Sequence, residues 1–279
     1  PMSTRLTIIC ENTVGRPIPA VGEHGFACLV EHEGRSWLFD TGQGLTLLHN
    51  FKALDIDPRQ IEGVILSHGH YDHCGGLLAF LGAVGPRPVH AHPDIFLERF
   101  WQGQHEQRPI GVPHSREALE LAGAEFHFSE EFSTLAPGLH FSGRIPRITG
   151  AETGDPHLVI AGEAGGSTMP DTFDDDAALA IETPRGLIIL LGCAHAGLIN
   201  SVRHLLEKLG RQQVHAIIGG THLGPAGNAQ FAETADFLAE LNVHRIGLSH
   251  CTGQIRAAQL FARFPNKVFF AAVGSHFEA

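Results

Sequence analysis

The run His68-Gly69-His70-Tyr71-Asp72-His73 holds more metal-binding side chains than any other short stretch of the sequence. Its imidazoles and carboxylate can place nitrogen and oxygen ligands at about 2 to 2.2 Å from a zinc ion. These groups suit one or two Zn²⁺ ions, with Fe or Mn as alternatives. A lone histidine is more often a surface residue or a hydrogen-bonded core residue, but four ligand groups in six residues indicate a metal-binding loop.

The flanking residues predict how this loop is held. Val64–Ser67 form a short apolar run typical of a buried strand, and Cys74–Leu81 are small and apolar, as in a packed helix. The loop therefore lies at a strand-to-helix junction, where positions 68, 70, 72 and 73 can converge on one ion.

The N-terminal half of the chain is predicted to be rich in strands, with Asp40 ending one of them at the same edge as His68. Apolar residues at three-residue steps predict a helix over Leu45–Leu54, and proline at a favoured first position predicts another over Pro93–Phe100. The predicted strands are Leu6–Cys10, Val89–His92 and a hairpin of Phe26–Val30 with Trp37–Asp40, closed by Glu33-Gly34.

The C-terminal half alternates strands and helices. The first three of its strands end in turns that carry His195, His222 and His250. In open α/β sheets the chemistry lies beyond the carboxyl ends of the strands, so these turns should gather on one rim. The predicted strands are 187–191, 216–218, 245–248 and 268–271, and the helices are 198–209, 231–241 and 255–264.

Two long stretches lack periodicity, about 101–114 and about 149–173, and are predicted to be lid-like binding loops. No break in composition marks a linker, which favours one domain over residues 1–279. A hydrophobic fraction of 43%, with 33 Gly and 16 Pro, suits an α/β or α+β globule with many tight turns.

Charge and cysteine content restrict the partners and the compartment. A formal charge of -11, with only 19 Lys and Arg, argues against a nucleic-acid partner. The five cysteines are widely spaced without a C-x-x-C pair, which favours a reducing, cytoplasmic location over a disulfide framework. We find neither a signal-peptide pattern nor an apolar run of membrane-spanning length, so no membrane partner is expected. The composition leaves the oligomeric state open.

Four segments resemble the metallo-β-lactamase superfamily, and within it the group named for dihydropterin-ribofuranosylaminobenzene-phosphate synthase. They are Leu66–His73, Gly192–Asn200, Gly219–Leu223 and Ser249–Gly253. The resemblance spans nearly the whole chain. It implies an αββα sandwich, in which two mixed sheets are flanked by helices and a metal site lies on the upper edge.

The resemblance also implies a ligand set. His68 and His70 would bind a first metal, with His195 as the best candidate for its third histidine, while Asp72, His73 and His250 would bind a second. Asp40 either accepts the free N–H of a metal-bound imidazole or is a strand-end turn residue. Many relatives carry a bridging Asp where this chain has Cys193, which is either a thiolate ligand or a small buried residue. Asp155 and the run Asp174–Asp176 are the other candidates for the carboxylate.

Further residues are candidates for catalysis and for substrate binding. Asp72 would orient a water molecule, and His222 would contact the substrate or transfer a proton. Thr252 and Gly253 stand where a helix begins, so they could receive a phosphate or carboxylate, or Thr252 could cap that helix. His157 lies in a lid-like segment, and a pterin-like ring could lie under Trp101 or Phe173.

The leading hypothesis is metal-assisted hydrolysis or group transfer on a small, anionic, phosphate-bearing and pterin-like substrate. The same site could instead serve a hydrolase of esters, lactones or thioesters, because a fold does not fix the substrate. A third hypothesis is a metal-binding sensor or scaffold without turnover, which would have a closed metal site.

Overall fold

A computed structural model describes residues 3–162 and 166–279. Its strands are β1 Thr4–Cys10, β2 Ala27–His32, β3 Arg35–Phe39, β4 Gly63–Ile65, β5 Arg87–Ala91, β6 Arg99–Gln102, β7 Gln107–Pro109, β8 Ala124–Phe128, β9 Ser133–Ala136, β10 Leu139–Phe141, β11 Leu158–Ala161, β12 Thr168–Pro170, β13 Ala178–Thr183, β14 Gly186–Leu191, β15 Val214–Gly220, β16 Arg245–Ser249, β17 Val268–Phe270 and β18 His276–Glu278. Its α-helices are α1 Leu47–Ala53, α2 Tyr71–Cys74, α3 Leu77–Val84, α4 Arg116–Leu121, α5 Leu198–Leu209, α6 Asn228–Leu241 and α7 Gln254–Arg263.

Two seven-stranded sheets form the centre of the molecule. Their strand orders are β18-β1-β2-β3-β4-β5-β8 and β17-β16-β15-β14-β13-β10-β9. Both sheets are mixed, because β3, β4, β5 and β8 run parallel in the first and β14 to β17 run parallel in the second, while their other pairs are antiparallel. This confirms the predicted mixed sheets flanked by helices.

Three apolar clusters fill the spaces between the layers. One cluster joins the two sheets, with Phe39 and Ile65 from the first sheet packed with Leu190 and Ile218 from the second. The other two lie outside the sheets, one under α5 to α7 and one under α1 and α3. The hydrophobic effect thus fixes the two sheets face to face, which brings their strand ends to a common rim.

The structure revises the helices around the predicted metal loop. The predicted helix Cys74–Leu81 is two helices, α2 and α3, separated by Gly75 and Gly76. A Cβ on Gly76 would lie only 2.1 Å from the Thr41 carbonyl oxygen, so the chain passes too close there for any side chain. The predicted helix Leu45–Leu54 shortens to α1, and Leu45 is exposed.

The predicted helix Pro93–Phe100 is wrong. Only Pro93–Phe96 forms a 3₁₀ turn, after which the chain becomes β6 and pairs with β7 and β11. Tertiary pairing and the buried ion pairs of Arg99 override the local signal of proline at a helix start.

The two predicted loops contain a third sheet. Its order is β12-β11-β6-β7, and it lies within or beside the stretches 101–114 and 149–173, so they are not purely irregular. Residues 163–165 of the second stretch lie outside the described residues. None of the described helices has both the length and the apolar character needed to cross a bilayer.

Candidate metal centre

The candidate site lies where strands of both large sheets end. Asp40 follows β3, His68 and His70 lie between β4 and α2, and Cys193 and His195 follow β14. His250 follows β16, and all of these side chains are buried. The rim predicted from the strand order therefore brings together groups that are up to 210 positions apart in the sequence (250 − 40).

The backbone is unusual at this rim. Eight described non-glycine residues have positive φ, a conformation that L-residues seldom adopt. Five of them belong to the site or contact it, namely Asp40, Phe173, Ala194, His222 and His250. Such strain tends to be retained at functional sites, where the surrounding structure maintains it.

His68, His70 and His195 form a first group of donors. One ring nitrogen of each lies within 4.8 Å of the others, and His68 Nε2 is 3.1 Å from His70 Nδ1. The buried His70 Nε2 and His195 Nε2 have no hydrogen-bond partner among the described residues. Unpaired nitrogens in a buried histidine trio fit the ligand set of a divalent metal.

The protonation states of this trio also suit a metal. Burial lowers the pKa of His68, His70 and His195 well below the usual value. All three are therefore neutral near pH 7, which is the form that binds metal.

Asp72, His73 and His250 form a second group of donors, joined by Cys193. The Nε2 atoms of His73 and His250 are 3.3 Å apart, and Asp72 Oδ2 lies 3.2 Å from the latter and 3.9 Å from the former. Cys193 Sγ lies 3.1 Å from His73 Nε2. Ligands of a tetrahedral zinc ion are separated by about 3.3 to 3.8 Å, given its bond lengths, so the spacing of Asp72, His73 and His250 is close to that of metal ligands, with Cys193 beside His73.

Asp40 and Ser67 fix the tautomers of two of these imidazoles. Asp40 Oδ2 accepts from His73 Nδ1 at 2.6 Å and from Ser67 Oγ at 2.7 Å. Because the Ser67 proton is directed at Asp40, Ser67 Oγ must accept from His68 Nδ1 at 2.8 Å. Both histidines consequently direct Nε2 into the cluster. This is the contact expected of a carboxylate that supports a metal-bound imidazole.

Asn12 performs the same task for His250. Its Oδ1 accepts from Gly25 N at 3.4 Å, which identifies it as the oxygen, and it also accepts from His250 Nδ1 at 2.8 Å. Glu11 Oε1 accepts from the backbone N–H of His250 at 2.6 Å. The Nε2 of His250 is thus directed at Asp72.

The second group favours positive charge at its centre. Burial opposes charge on His73, but the Asp40 and Asp72 carboxylates outweigh it and raise the pKa of His73 to about 9. Burial likewise opposes ionisation of Asp72, yet His73, His24 and His250 lower its pKa well below the usual value. A cluster that stabilises an imidazolium and a carboxylate stabilises a bound cation by the same electrostatics.

Four other predicted carboxylates lie outside both donor groups. Asp174 pairs with Arg144, and Asp176 Oδ2 accepts from Ala196 N at 2.9 Å. Asp175 binds Arg99 at 2.7 Å and accepts from Gly69 N at 2.8 Å, while Asp155 lies beside His222. Cys193 is the group that lies between the two sets of histidines, within 4.8 Å of the donor atoms of His68 and His73.

The lid residues make two kinds of contact, since His157 and Trp101 contact each other and Phe173 contacts the rim. His157 stacks on Trp101 with ring centroids 5.5 Å apart and binds the Gln102 carbonyl. Phe173 is buried and stacks on His195 with centroids 4.1 Å apart. Phe173 therefore covers the first donor group and leaves no gap beneath its own ring for a substrate ring.

Thr252 does not cap a helix. The residue that precedes α7 is Gly253, and no side chain caps that helix. The Thr252 hydroxyl accepts from Thr221 N at 3.2 Å and from Thr221 Oγ1 at 2.9 Å. Thr252 and Gly253 line a cavity of about 500 Å³ beside His250.

Sequence reasoning missed His24, Asn12 and Arg99. His24 Nε2 lies 3.2 Å from Asp72 Oδ2, although more than half of its side chain is exposed. It is a single histidine in an aperiodic stretch, so no local pattern could have marked it. Asn12 follows the end of β1, and the strand-end argument applied to the later histidines could have indicated it.

Comparison with known proteins agrees with this architecture. The chain is 32% identical over 268 residues to the 7,8-dihydropterin-6-methyl-4-(beta-D-ribofuranosyl)-aminobenzene-5'-phosphate synthase of Methanocaldococcus jannaschii, covering 92% of this chain and 90% of that one. It is similar to the crystal structure of a metal-dependent hydrolase of the beta-lactamase superfamily, with a TM-score of 0.82, 25% identity and 99% of each chain covered. Zn²⁺-bound PqqB from Methylobacterium extorquens shares the fold, with a TM-score of 0.55, 15% identity, and 98% of this chain and 99% of that chain covered.

The family match covers most of the residues that build the site. The sequence model of the metallo-beta-lactamase superfamily matches residues 21–222, which include the histidine-rich loop, Cys193 and His195. The mixed sheets flanked by helices agree with that match. The chain belongs to the metallo-beta-lactamase superfamily.

Proposed function

We propose that this protein is a metal-dependent hydrolase that acts on a small, anionic, phosphate-bearing substrate. Group transfer to a dihydropterin is the variant suggested by the name of the Methanocaldococcus jannaschii relative. The observation that carries the proposal is the convergence of buried histidines with the Asp72 carboxylate and the Cys193 thiol at a single rim.

The two donor groups divide the proposed ligands. His68, His70 and His195 would hold one ion, and Asp72, His73 and His250 a second, with Cys193 between them. Imidazole, carboxylate and thiol donors suit zinc best, with Fe or Mn as alternatives. Bound divalent ions would supply Lewis-acid activation of water and neutralise charge on an anionic oxygen.

The residues of the chain would position the reactants. The ionised Asp72 would accept a hydrogen bond from the attacking water, with His24 Nε2 holding the same carboxylate from outside. His222 lies against His195, and burial lowers its pKa to about 4, so its imidazole is neutral near pH 7. The neutral imidazole of His222 would therefore form a hydrogen bond with the leaving group. It would not act as a general acid that is already protonated.

Alanine substitution tests the assignment of the ligands. His68→Ala and His250→Ala should each lower the metal content of the purified protein and reduce turnover by at least about 10³-fold, since each removes a ligand. The measurements are elemental analysis and hydrolysis of a panel of phosphoesters, lactones and pterin pyrophosphates. His276→Ala, at the exposed strand β18, is the control.

The same panel separates the alternatives. Competitive inhibition by inorganic phosphate together with phosphoester turnover supports the proposal, whereas turnover of lactones or thioesters without inhibition by phosphate favours the second hydrolase hypothesis. Full metal content without turnover of any panel member would favour a sensor or scaffold. Retention of metal and activity in both variants would refute the site itself.

A further inference from the structure

A cavity of about 200 Å³ opens directly beside the first donor group. Its walls include the rings of His195 and His222, the segment Thr153–Pro156 and the segment Pro225–Gly227. A substrate whose reacting atom lies at the metal donors would have to place its remaining atoms here or in solvent. The cavity is thus in position to bind the part of the substrate that does not react.

One wall is held by a buried carboxylate. Glu152 accepts from the backbone N–H groups of Ile199 and Asn200 at 2.7 and 2.9 Å, at the start of α5. It also accepts from Thr149 Oγ1 at 3.1 Å. The residue immediately before Thr153 is therefore anchored, which makes this wall pre-formed.

The opposite wall is held by Arg256. Its Nη2 donates to the Ala226 carbonyl at 3.1 Å and to Asn228 Oδ1 at 2.9 Å, and its guanidinium lies over the Phe231 ring. The shape of the cavity is consequently fixed on both sides before a substrate arrives.

The lining is polar and contains one carboxylate, which accepts hydrogen bonds. Asp155 supplies a carboxylate, of which Oδ1 accepts from His157 N at 2.9 Å, and Gln230 and the neutral His222 supply further polar atoms. The described residues that line the cavity include no Lys or Arg. Two arginines lie behind the lining: Arg256 donates to the Ala226 carbonyl, and Arg147 lies behind Gly154 and donates to the carbonyls of Glu152 and Thr172 at 3.4 Å.

We propose that this cavity is a specificity subsite, in which Asp155 selects substrates that carry a hydroxyl or ammonium group beside the reacting phosphate. The subsite rests on the proposed function, because the phosphate must lie at the metal donors for the rest of the substrate to reach Asp155. A second anionic group would meet the Asp155 carboxylate without a neutralising side chain, so such substrates should be rejected.

Binding of phosphonates tests the subsite independently of turnover. The ligands are 2-aminoethylphosphonate, 2-hydroxyethylphosphonate, propylphosphonate and phosphonoacetate, which share the phosphonate and differ in the appended group. For the metal-loaded protein we expect affinity to fall in that order. The Kd values of the first and the last ligand should differ about tenfold or more, because the Asp155 carboxylate attracts an ammonium group and repels a carboxylate. Calorimetry measures each Kd.

The variant Asp155→Asn isolates the carboxylate. It should reduce the ratio of affinities between 2-aminoethylphosphonate and phosphonoacetate to about threefold or less. It should leave propylphosphonate unchanged. Asp236→Asn is the matched control, because it removes one negative charge from an exposed ion pair with Arg263 on α6, and it should preserve the wild-type order.

Two results would overturn the subsite: equal affinities for all four ligands in the wild type, or an Asp155→Asn variant that keeps the wild-type ratio of affinities between 2-aminoethylphosphonate and phosphonoacetate. If the phosphonates bind in the expected order while no phosphoester is hydrolysed, the proposed function fails and the subsite stands. If phosphoesters are hydrolysed without regard to the appended group, the subsite fails and the proposed function stands.

Discussion

Cys193 brings a thiol to the candidate metal centre, at the position where the family resemblance implied a bridging aspartate. Its thiol lies 3.1 Å from His73 Nε2, and burial raises the pKa of Cys193 well above the usual value. In that environment a thiol is protonated unless a cation replaces its proton. Whether sulfur becomes a ligand therefore depends on the metal, and spectroscopy can decide it.

Cobalt substitution tests this at the residue scale. The Co²⁺-loaded protein should show a sulfur-to-cobalt charge-transfer band, because a thiolate bound to the metal is deprotonated. Cys193→Ser should remove the band, while Cys28→Ser, at a buried cysteine on β2, should retain it. A band of unchanged intensity in Cys193→Ser would exclude Cys193 as the ligand.

At the scale of elements, the histidine-rich loop is fastened to the third sheet. Arg99 on β6 is fully buried and binds Asp171 and Asp175 at 2.7 Å, and Asp175 in turn accepts from Gly69 N. Removing one partner of such a buried network typically costs about 3 to 5 kcal/mol. The sheet formed by β12, β11, β6 and β7 thus positions the backbone between His68 and His70.

Gly69→Ala probes this connection. A Cβ at Gly69 would lie 1.9 Å from the Ile95 carbonyl oxygen and 2.6 Å from Arg99 Nη1, so the loop or the sheet must move. We expect the free energy of unfolding to fall by about 2 kcal/mol or more, together with weaker metal binding.

The matched control is Gly82→Ala, in the interior of α3, where a Cβ would meet nothing within 4 Å. It should raise the free energy of unfolding by up to about 1 kcal/mol, because alanine favours helix over glycine. Urea denaturation and a competitive metal titration measure both variants. Equal effects of the two substitutions would contradict a tight connection between loop and sheet.

At the scale of the whole molecule, partly or fully buried histidines make the free energy of unfolding depend on pH. Burial and the nearby His127 lower the pKa of His90 to about 4, against about 6.5 in an unfolded chain. Between these values the unfolded chain binds a proton that the folded chain does not, so the free energy of unfolding falls as the pH falls. Burial raises the pKa of Asp175 to about 7 and of Asp176 to about 6, and these groups act in the opposite direction.

The difference between wild type and His90→Phe isolates one such group. Phenylalanine should keep the stacking on His127 and the contact with Trp37. The chelator-stripped variant should therefore lose less stability than the chelator-stripped wild type between pH 6.5 and 4. Urea denaturation at several pH values measures it, and parallel curves for the two proteins would show that His90 does not contribute.

The sequence by itself determined the general architecture and identified the candidate metal loop. Apolar periodicity indicated a strand-rich first half and alternating strands and helices in the second, the family resemblance implied mixed sheets with outer helices, and the spacing of His68, His70, Asp72 and His73 indicated a metal loop. The periodicity and the spacing depend on local pattern: strand-end residues lie at a sheet edge whatever the rest of the chain does. The strand-end position of Asp40 and His250 was visible for the same reason.

Only the tertiary structure decided which tautomers the histidines adopt and how the loop is held. Asn12, Ser67 and Arg99 act across the fold, and no local pattern reports a contact between residues 12 and 250 or between 99 and 175. The same holds for the third sheet, whose short strands lack a periodic signal and exist because they pair with one another. Long-range hydrogen bonds and ion pairs form only when the sheets pack together. The histidine tautomers and the anchoring of the loop therefore depend on the tertiary structure.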